Sequence, residues 1–275
     1  MKNNVVAIMY DFDKTLCTKD TVEYSFLPNL KLTPEEFWSE TRQFRNIYKS
    51  DQVLSYMYMM CKKMKDNNLR LNRKYLNDMG KDIELFPGVL EWFDRIDEYG
   101  KELGLEIEHY VLSSGLTEII EGSPIGHKFK RIFASEFLYD DEGNAIWPNL
   151  SINYTNKTQF LTRINKGILD ITDNSINDKM LSDERRIPTS NMIYIGDGFT
   201  DIPCMKLTKD KGGVSIAVYT DDSYHIAKKI FTDGRTNYIA LADYQIDSKI
   251  DNIIKSELKK ISTKNNIKIL DETLK

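Results

Sequence analysis

Residues 5–10, Val-Val-Ala-Ile-Met-Tyr, form an unbroken apolar run without alternation, the pattern of a strand buried on both faces of a parallel sheet. Two further candidate strands follow: residues 107–112, ending in Ser113-Ser114-Gly115, and residues 192–195, ending in Gly196-Asp197-Gly198. Each of the three stops at a small or acidic residue and runs on into helix-compatible sequence, so that β and α units alternate. The pattern predicts an α/β fold, a Rossmann-like open parallel sheet with helices on both faces. Such sheets bind their ligands outside the carboxyl ends of the strands.

Between the first two strands, residues 20–85 have a different character. Phe, Trp, Tyr and Met recur there at helical spacing among charged residues, which predicts a small α-helical domain inserted after the first strand. Its clearest start is Thr33-Pro34-Glu35-Glu36, with Thr33 as N-cap, Pro34 at the first helical position and Glu36 closing a capping box. The cluster of Met57, Met59, Met60 and Met64 reads as helix core rather than as an adaptable binding surface. Phe86-Pro87-Gly88-Val89 punctuates the insert's end, and residues 91–103 read as an amphipathic helix returning to the sheet. Residues 133–147 predict a β-hairpin turning at Asp140-Asp141-Glu142-Gly143-Asn144. The chain ends in a charged helical stretch with Ile250, Ile253, Ile254 and Leu258 on one face. The expected division is an α/β core of residues 1–19 and 86–245, a helical cap of residues 20–85 and a tail of residues 246–275.

A length of 275 residues suits about two domains. The 38 Lys and Arg against 42 Asp and Glu leave a net charge of −4, which gives no global electrostatic reason to bind nucleic acid or anionic lipid. A small-molecule partner is expected. Cys17, Cys61 and Cys204 form no CxxC pair and are too scattered for a disulfide framework or a zinc site, which fits a reducing cytoplasm. No apolar stretch reaches the roughly 18 residues of a membrane span, and the first run is too short for a secretory signal. His109, His127 and His225 lack ligand spacing and read as structural or exposed.

The chemistry gathers at the strand ends. Asp11-Phe12-Asp13-Lys14-Thr15 follows the first strand directly, placing two carboxylates where the sheet presents its ligands. Close carboxylates repel and raise one another's pKa, so such a pair implies a cation, a shared proton or both. Gly196-Asp197-Gly198-Phe199-Thr200-Asp201 adds two more carboxylates on a loop whose glycines permit close approach. Hard oxygen donors without His or Cys favour Mg²⁺. Ser113-Ser114-Gly115 supplies hydroxyl and N–H donors suited to a phosphate, and Lys157 opens a helix in Asn156-Lys157-Thr158-Gln159. In the stretch from 170 to 191, Asp170, Asp173 and Asp178 read as loop and cap residues rather than as a second metal site.

In chain order these are Asp-x-Asp-x-Thr, Ser, Lys and Gly-Asp-Gly-x-x-Asp. The series resembles the haloacid dehalogenase-like superfamily of phosphohydrolases, and specifically its phosphoserine phosphatase-like branch with a helical cap after the first motif. The resemblance spans Asp11 to Asp201. It implies Asp11 as the nucleophile that forms an aspartyl-phosphate, and Asp13 as general acid and then base. It implies Mg²⁺ held by the Asp11 side chain, the Asp13 carbonyl and Asp197, with Asp201 orienting a metal-bound water or Lys157. Lys157 and Ser113 would hold the transferring phosphoryl oxygens, with Thr15, Ser114 and Gly115 in the same phosphate site and Asp20 placed to bind substrate. Asp13 favours phosphatase over dehalogenase chemistry, because halide departs without a proton. The branch usually carries an Arg in the cap for a substrate carboxylate. Residues 50–60 contain none and offer Tyr56 and Tyr58, with Arg42 and Arg45 nearby in sequence, which argues against phosphoserine as substrate. The reading is a Mg²⁺-dependent phosphatase acting on a small phosphorylated metabolite. A phosphotransferase using the same intermediate and a non-catalytic phospho-ligand binder are the competing readings.

Overall fold

The computed structural model describes residues 4–273, with side-chain burial to residue 267; the last two residues of the expected tail lie outside the described residues. The first apolar run forms β1 (Val5–Tyr10). Four helices follow: α1 (Phe26–Asn29), α2 (Pro34–Tyr48), α3 (Gln52–Asp66) and α4 (Arg73–Met79). Next come α5 (Val89–Glu102), β2 (Glu106–Leu116), α6 (Thr117–Gly122), β3 (Arg131–Tyr139), β4 (Ala145–Leu150) and α7 (Thr158–Lys166). The remainder is β5 (Met192–Gly196), α8 (Ile202–Asp210), β6 (Val214–Tyr219), α9 (Tyr224–Thr232), β7 (Tyr238–Leu241) and α10 (Lys249–Thr273). The seven strands form one sheet in the order β4-β3-β2-β1-β5-β6-β7. All neighbours are parallel except β3 and β4, which pair antiparallel.

Burial on both faces of β1 is visible residue by residue. Val6, Ile8 and Tyr10 join one apolar cluster with Trp92, Phe93 and Ile96 of α5 and Ile250, Ile254 and Leu258 of α10. Ala7 and Met9 join another with Phe160 and Ile164 of α7, Met205 of α8 and Ala227 and Ile230 of α9. The absence of alternation in β1 thus reflects helices packed on both sides. The polar groups on β1's flank are paired: Trp92 Nε1 donates to the Tyr10 hydroxyl at 2.9 Å, which lies 3.0 Å from His109 Nδ1.

The stretch between β1 and α5 is helical. Thr33 caps α2 with a reciprocal bond to Glu36, and Met57, Met59, Met60 and Met64 are all buried. The segment shares the first apolar cluster, which runs continuously from Leu16, Val22 and Phe26 to Phe37, Met57 and Leu76. The 133–147 hairpin is present and longer, its turn held by Asp140 Oδ1 accepting from Glu142 and Asn144 N–H and by Gly143 at φ +81°. It also joins the main sheet, because the first half of β3 pairs in parallel with β2. Two strands, β6 and β7, extend the sheet beyond the three that the apolar runs announce.

Candidate active site

The end of β1 hands directly to the site. Asp11 N–H donates to the Ile195 carbonyl of β5 at 2.9 Å, so the first carboxylate is fixed between the two central strands. The chain then turns tightly, with Thr15 and Leu16 N–H both donating to the Phe12 carbonyl and Lys14 at φ +55°. On β5, Gly196 leaves room for Asp201, whose Cγ would lie only 2.5 Å from a Cβ there. The Asp201 carboxylate takes the Gly198 N–H at 3.2 Å and the Tyr194 hydroxyl at 2.6 Å.

Lys157, just ahead of α7, reaches between them. Its Nζ lies 2.9 Å from Asp11 Oδ1 and 2.6 Å from Asp201 Oδ1, and both lysine and Asp201 are buried. Asp11, Asp197 and Asp201 each bring a carboxylate oxygen within 4.8 Å of the others, close enough to share one cation. Asp13 stands apart from this trio: its Oδ1 accepts from Thr21 N–H at 2.7 Å. Its Oδ2 faces Gly115, where an added Cβ would meet it and Ser113 Oγ at 3.2 Å.

So many carboxylates in one place perturb each other. Burial, reinforced by the Asp201 charge and opposed by Lys157, raises Asp11 to about 7. Burial with the Asp20 and Asp11 charges raises Asp13, and burial with the Asp201 and Asp11 charges raises Asp197. Burial works against the Lys157 ammonium, yet the Asp11 and Asp201 charges outweigh it and hold the lysine protonated. The site therefore carries more negative charge than its single buried ammonium offsets, an arrangement that favours protons or a divalent cation.

A cavity of about 430 Å³ opens above these groups, lined by Asp11, Asp13, Asp20, Ser113, Ser114, Gly115 and Asp197. Ser113 Oγ accepts from Gly115 N–H at 2.9 Å, leaving its hydroxyl proton free to donate. Asp20 accepts from Lys14 Nζ at 2.6 Å. Thr15 lies elsewhere: it is fully buried, does not line the cavity, and its carbonyl accepts from the Tyr244 hydroxyl at 2.8 Å. Thr15, expected in the phosphate site, is thus not brought to the cavity lining. Asp170 and Asp173 serve as turn caps, accepting from Thr172 and Ser175 N–H.

The structure adds wall residues that the motifs do not announce. Trp38, Val53 and Tyr56 from α2 and α3, Asn153 and Tyr154 before α7, and Phe199 all line the cavity. Tyr56 donates to the Ser114 carbonyl at 2.7 Å. Tyr58 is exposed and stacks on Phe44, and Arg42 and Arg45 are exposed on α2 away from the cavity lining. Tyr56 is one of the two tyrosines the sequence offers in place of a cap arginine, whereas the signal for Trp38 is a helical aromatic stripe, which does not separate core from cavity.

The haloacid dehalogenase-like hydrolase family matches residues 8–206, and the chain belongs to it. An uncharacterized protein of Borreliella burgdorferi is 27% identical over 284 residues, an alignment covering 94% of this chain and 98% of that one. The fold is similar to that of a phosphoserine phosphatase solved as a phospho-aspartyl intermediate analogue, with a TM-score of 0.56, 16% identity, and 92% and 99% of the two chains covered. It is also similar to a HAD family hydrolase from Salmonella enterica, with a TM-score of 0.55 and 19% identity over 81% of this chain, which spans 65% of that one. Among the described residues no helix is long and apolar enough to cross a membrane.

Proposed function

We propose that the protein hydrolyses a small phosphomonoester through an aspartyl-phosphate on Asp11. The observation that carries this is the Asp11–Lys157–Asp201 cluster at the carboxyl edge of the sheet, beside a second carboxyl, Asp13, held apart from it.

The Asp11 oxygen not held by Lys157 attacks phosphorus, and the ester P–O bond breaks. Asp13, kept protonated by burial and its neighbours, gives its proton to the departing alcohol. Asp13 then takes a proton from the water that attacks the aspartyl-phosphate, which releases inorganic phosphate and restores the Asp11 carboxylate. Lys157 and the free Ser113 hydroxyl proton bear on the phosphoryl oxygens while charge develops there. The donor set fits Mg²⁺, because three carboxylate oxygens gather without any nitrogen or sulfur ligand. Asp11, Asp197 and Asp201, with the Asp13 carbonyl, would hold it, and it would supply charge neutralisation of the phosphoryl group. In this reading residues 20–85 act as the cap over a core of residues 1–19 and 86–245, and the tail braces the core through Ile250, Ile254 and Leu258. A small phosphorylated metabolite fits the 430 Å³ cavity; with Arg42 and Arg45 outside its lining, phosphoserine is not the substrate we propose.

The test is phosphate release from a panel of phosphomonoesters, with Mg²⁺ and with EDTA, by the wild type and Asp11→Asn. Metal-dependent release that falls at least about a thousandfold in the variant is expected. Release unaffected by Asp11→Asn would overturn the reading.

A further inference from the structure

Lys157 is placed by the loop before it, and that loop is tied to helix α3. Asn153 Oδ1 accepts from Thr155 and Asn156 N–H at 2.9 and 3.1 Å, Asn156 Oδ1 accepts from Asn153 N–H at 2.8 Å, and Lys157 N–H donates to the Asn153 carbonyl at 3.0 Å. The segment is thus a closed hydrogen-bonded unit with Asn153 at its hub. One donor of Asn153 points out of it: Nδ2 donates to Asp51 Oδ2 at 2.9 Å. The other oxygen of Asp51 caps α3, accepting from Val53 and Leu54 N–H at 2.9 and 3.0 Å, and also takes the Ser151 hydroxyl at 3.4 Å.

We propose that Asp51 and Asn153 are positioning residues for Lys157, a bridge through which the seating of α3 on the sheet sets the lysine against Asp11 and Asp201. The inference rests on the phosphatase reading for its kinetic consequence, though not for its geometry. Each half of the bridge is anchored independently. Asp51 is held by the N-terminus of a helix of 15 residues whose Val53, Met57 and Met60 are buried, and this end of a helix favours a carboxylate. Asn153 is held by the loop's own bonds. The Tyr56 bond to the Ser114 carbonyl ties the same helix to the carboxyl end of β2. The N-terminal end of α3 therefore touches both segments assigned to hold the phosphoryl group. The bridge acts on Lys157, which bears on charge that develops in the reaction, so breaking it lowers kcat more than it raises KM.

The two side chains are isosteric, which permits a swap. Asp51→Asn alone keeps the helix cap but sets an amide against an amide, donor to donor. Asn153→Asp alone keeps the loop's acceptor but sets two carboxylates face to face. The double variant, Asp51→Asn with Asn153→Asp, restores every bond with the polarity of the bridge reversed. Steady-state phosphate release from 4-nitrophenyl phosphate is measured for all four proteins, alongside amide hydrogen exchange across residues 151–157 and thermal melts. Each single variant is expected to lose between about tenfold and a hundredfold in kcat, with exchange in residues 151–157 accelerated and, for Asp51→Asn, KM within about threefold. The double variant is expected to regain kcat to within about threefold of the wild type and to recover slow exchange. Single losses that multiply in the double variant, or single variants with wild-type kcat and exchange, overturn the bridge. If the wild type releases no phosphate from any ester, the phosphatase reading fails. Exchange alone then decides the bridge: acceleration in both single variants that the double reverses supports it, and unchanged or unrescued exchange overturns it.

Discussion

Lys157 pairs with two carboxylates, Asp11 and Asp201, and offsets the charge of only one, while Asp197 remains beside them. The sign of the pH dependence follows. Burial and the Asp201 charge lift Asp11 from an ordinary 3.8 to about 7 in the folded protein, and Asp13 and Asp197 move the same way. The folded state therefore binds protons more tightly than the unfolded one. That part of the stability is complete below about pH 4 and is lost as pH rises through about 7. In EDTA, the melting temperature is expected to fall between pH 4 and pH 7. Asp197→Asn should flatten that slope and raise the melting temperature at pH 7 by a few degrees, about 2–4 °C for each kcal/mol of repulsion removed. Mg²⁺ should raise the wild-type melting temperature and raise the variant's less. Thermal melts across pH, with and without the ion, check all three.

Glu108 has the opposite sign. Despite its burial, hydrogen bonds from Arg186, Lys130 and Tyr110 hold it down to about 2. Its contribution is complete above about pH 4.5 and disappears as pH falls through about 2, so Glu108→Gln should cost about 1–3 kcal/mol at pH 7 and remove that acid sensitivity. Urea melts at pH 7 and pH 3 measure it. Among single residues, those with a chemical type that a strand end rarely tolerates for nothing were legible: Asp11, Asp13, Asp197 and Asp201. Asp51, Asn153 and Tyr194 were not, because Asp and Asn are common caps and turn formers, and a Tyr inside a buried strand looks like packing until its hydroxyl is seen 2.6 Å from Asp201.

At the scale of elements, Gly88 shows how a turn positions a helix. It sits at φ +79° immediately before α5, and a Cβ there would lie 2.4 Å from the Gln245 backbone nitrogen. Tyr244 N–H donates to the Pro87 carbonyl beside it, and the Tyr244 hydroxyl reaches the Thr15 carbonyl in the loop after Asp11. Gly88→Ala is expected to cost at least about 1–2 kcal/mol from the backbone conformation alone, and more from the clash. It should also loosen the loop after Asp11, lowering phosphate release together with the denaturation midpoint. The Phe-Pro-Gly punctuation made this turn legible, as the capping box did the start of α2. Strands β6 and β7 were less so: β6 carries Ser215 among its apolar residues, and β7 is four residues long and ends at an exposed Leu241. Their strand character comes from their neighbours rather than from their own pattern.

For the molecule as a whole, the continuity of the first apolar cluster matters most. It runs from Ile254 and Leu258 of α10 through Trp92 and Ile8 to Phe26, Phe37 and Leu76, with no apolar break between sheet and helical insert. Two units expected from the sequence thus share one interior, and they should unfold together. Trp38 reports on α2 and Trp92 on α5. With the other two tryptophans replaced by Phe, the fluorescence midpoint of either reporter is expected to coincide with that of far-UV circular dichroism in the same variant. A transition of Trp38 well before the loss of helix would mean that the insert melts by itself.

The central place of β1 also sets an order of events during synthesis. The strand that leads to Asp11 is made before its partners, residues 106–111 and 192–195, and before Tyr244, whose hydroxyl braces the loop after it. One edge of this strand waits about 100 residues for its partner and the other nearly 190, and contacts this distant in sequence form slowly. Asp11 is made well before the segments that set it in place, so a nascent chain carries the complete Asp-x-Asp motif long before Lys157, Asp197 and Asp201 can gather around it.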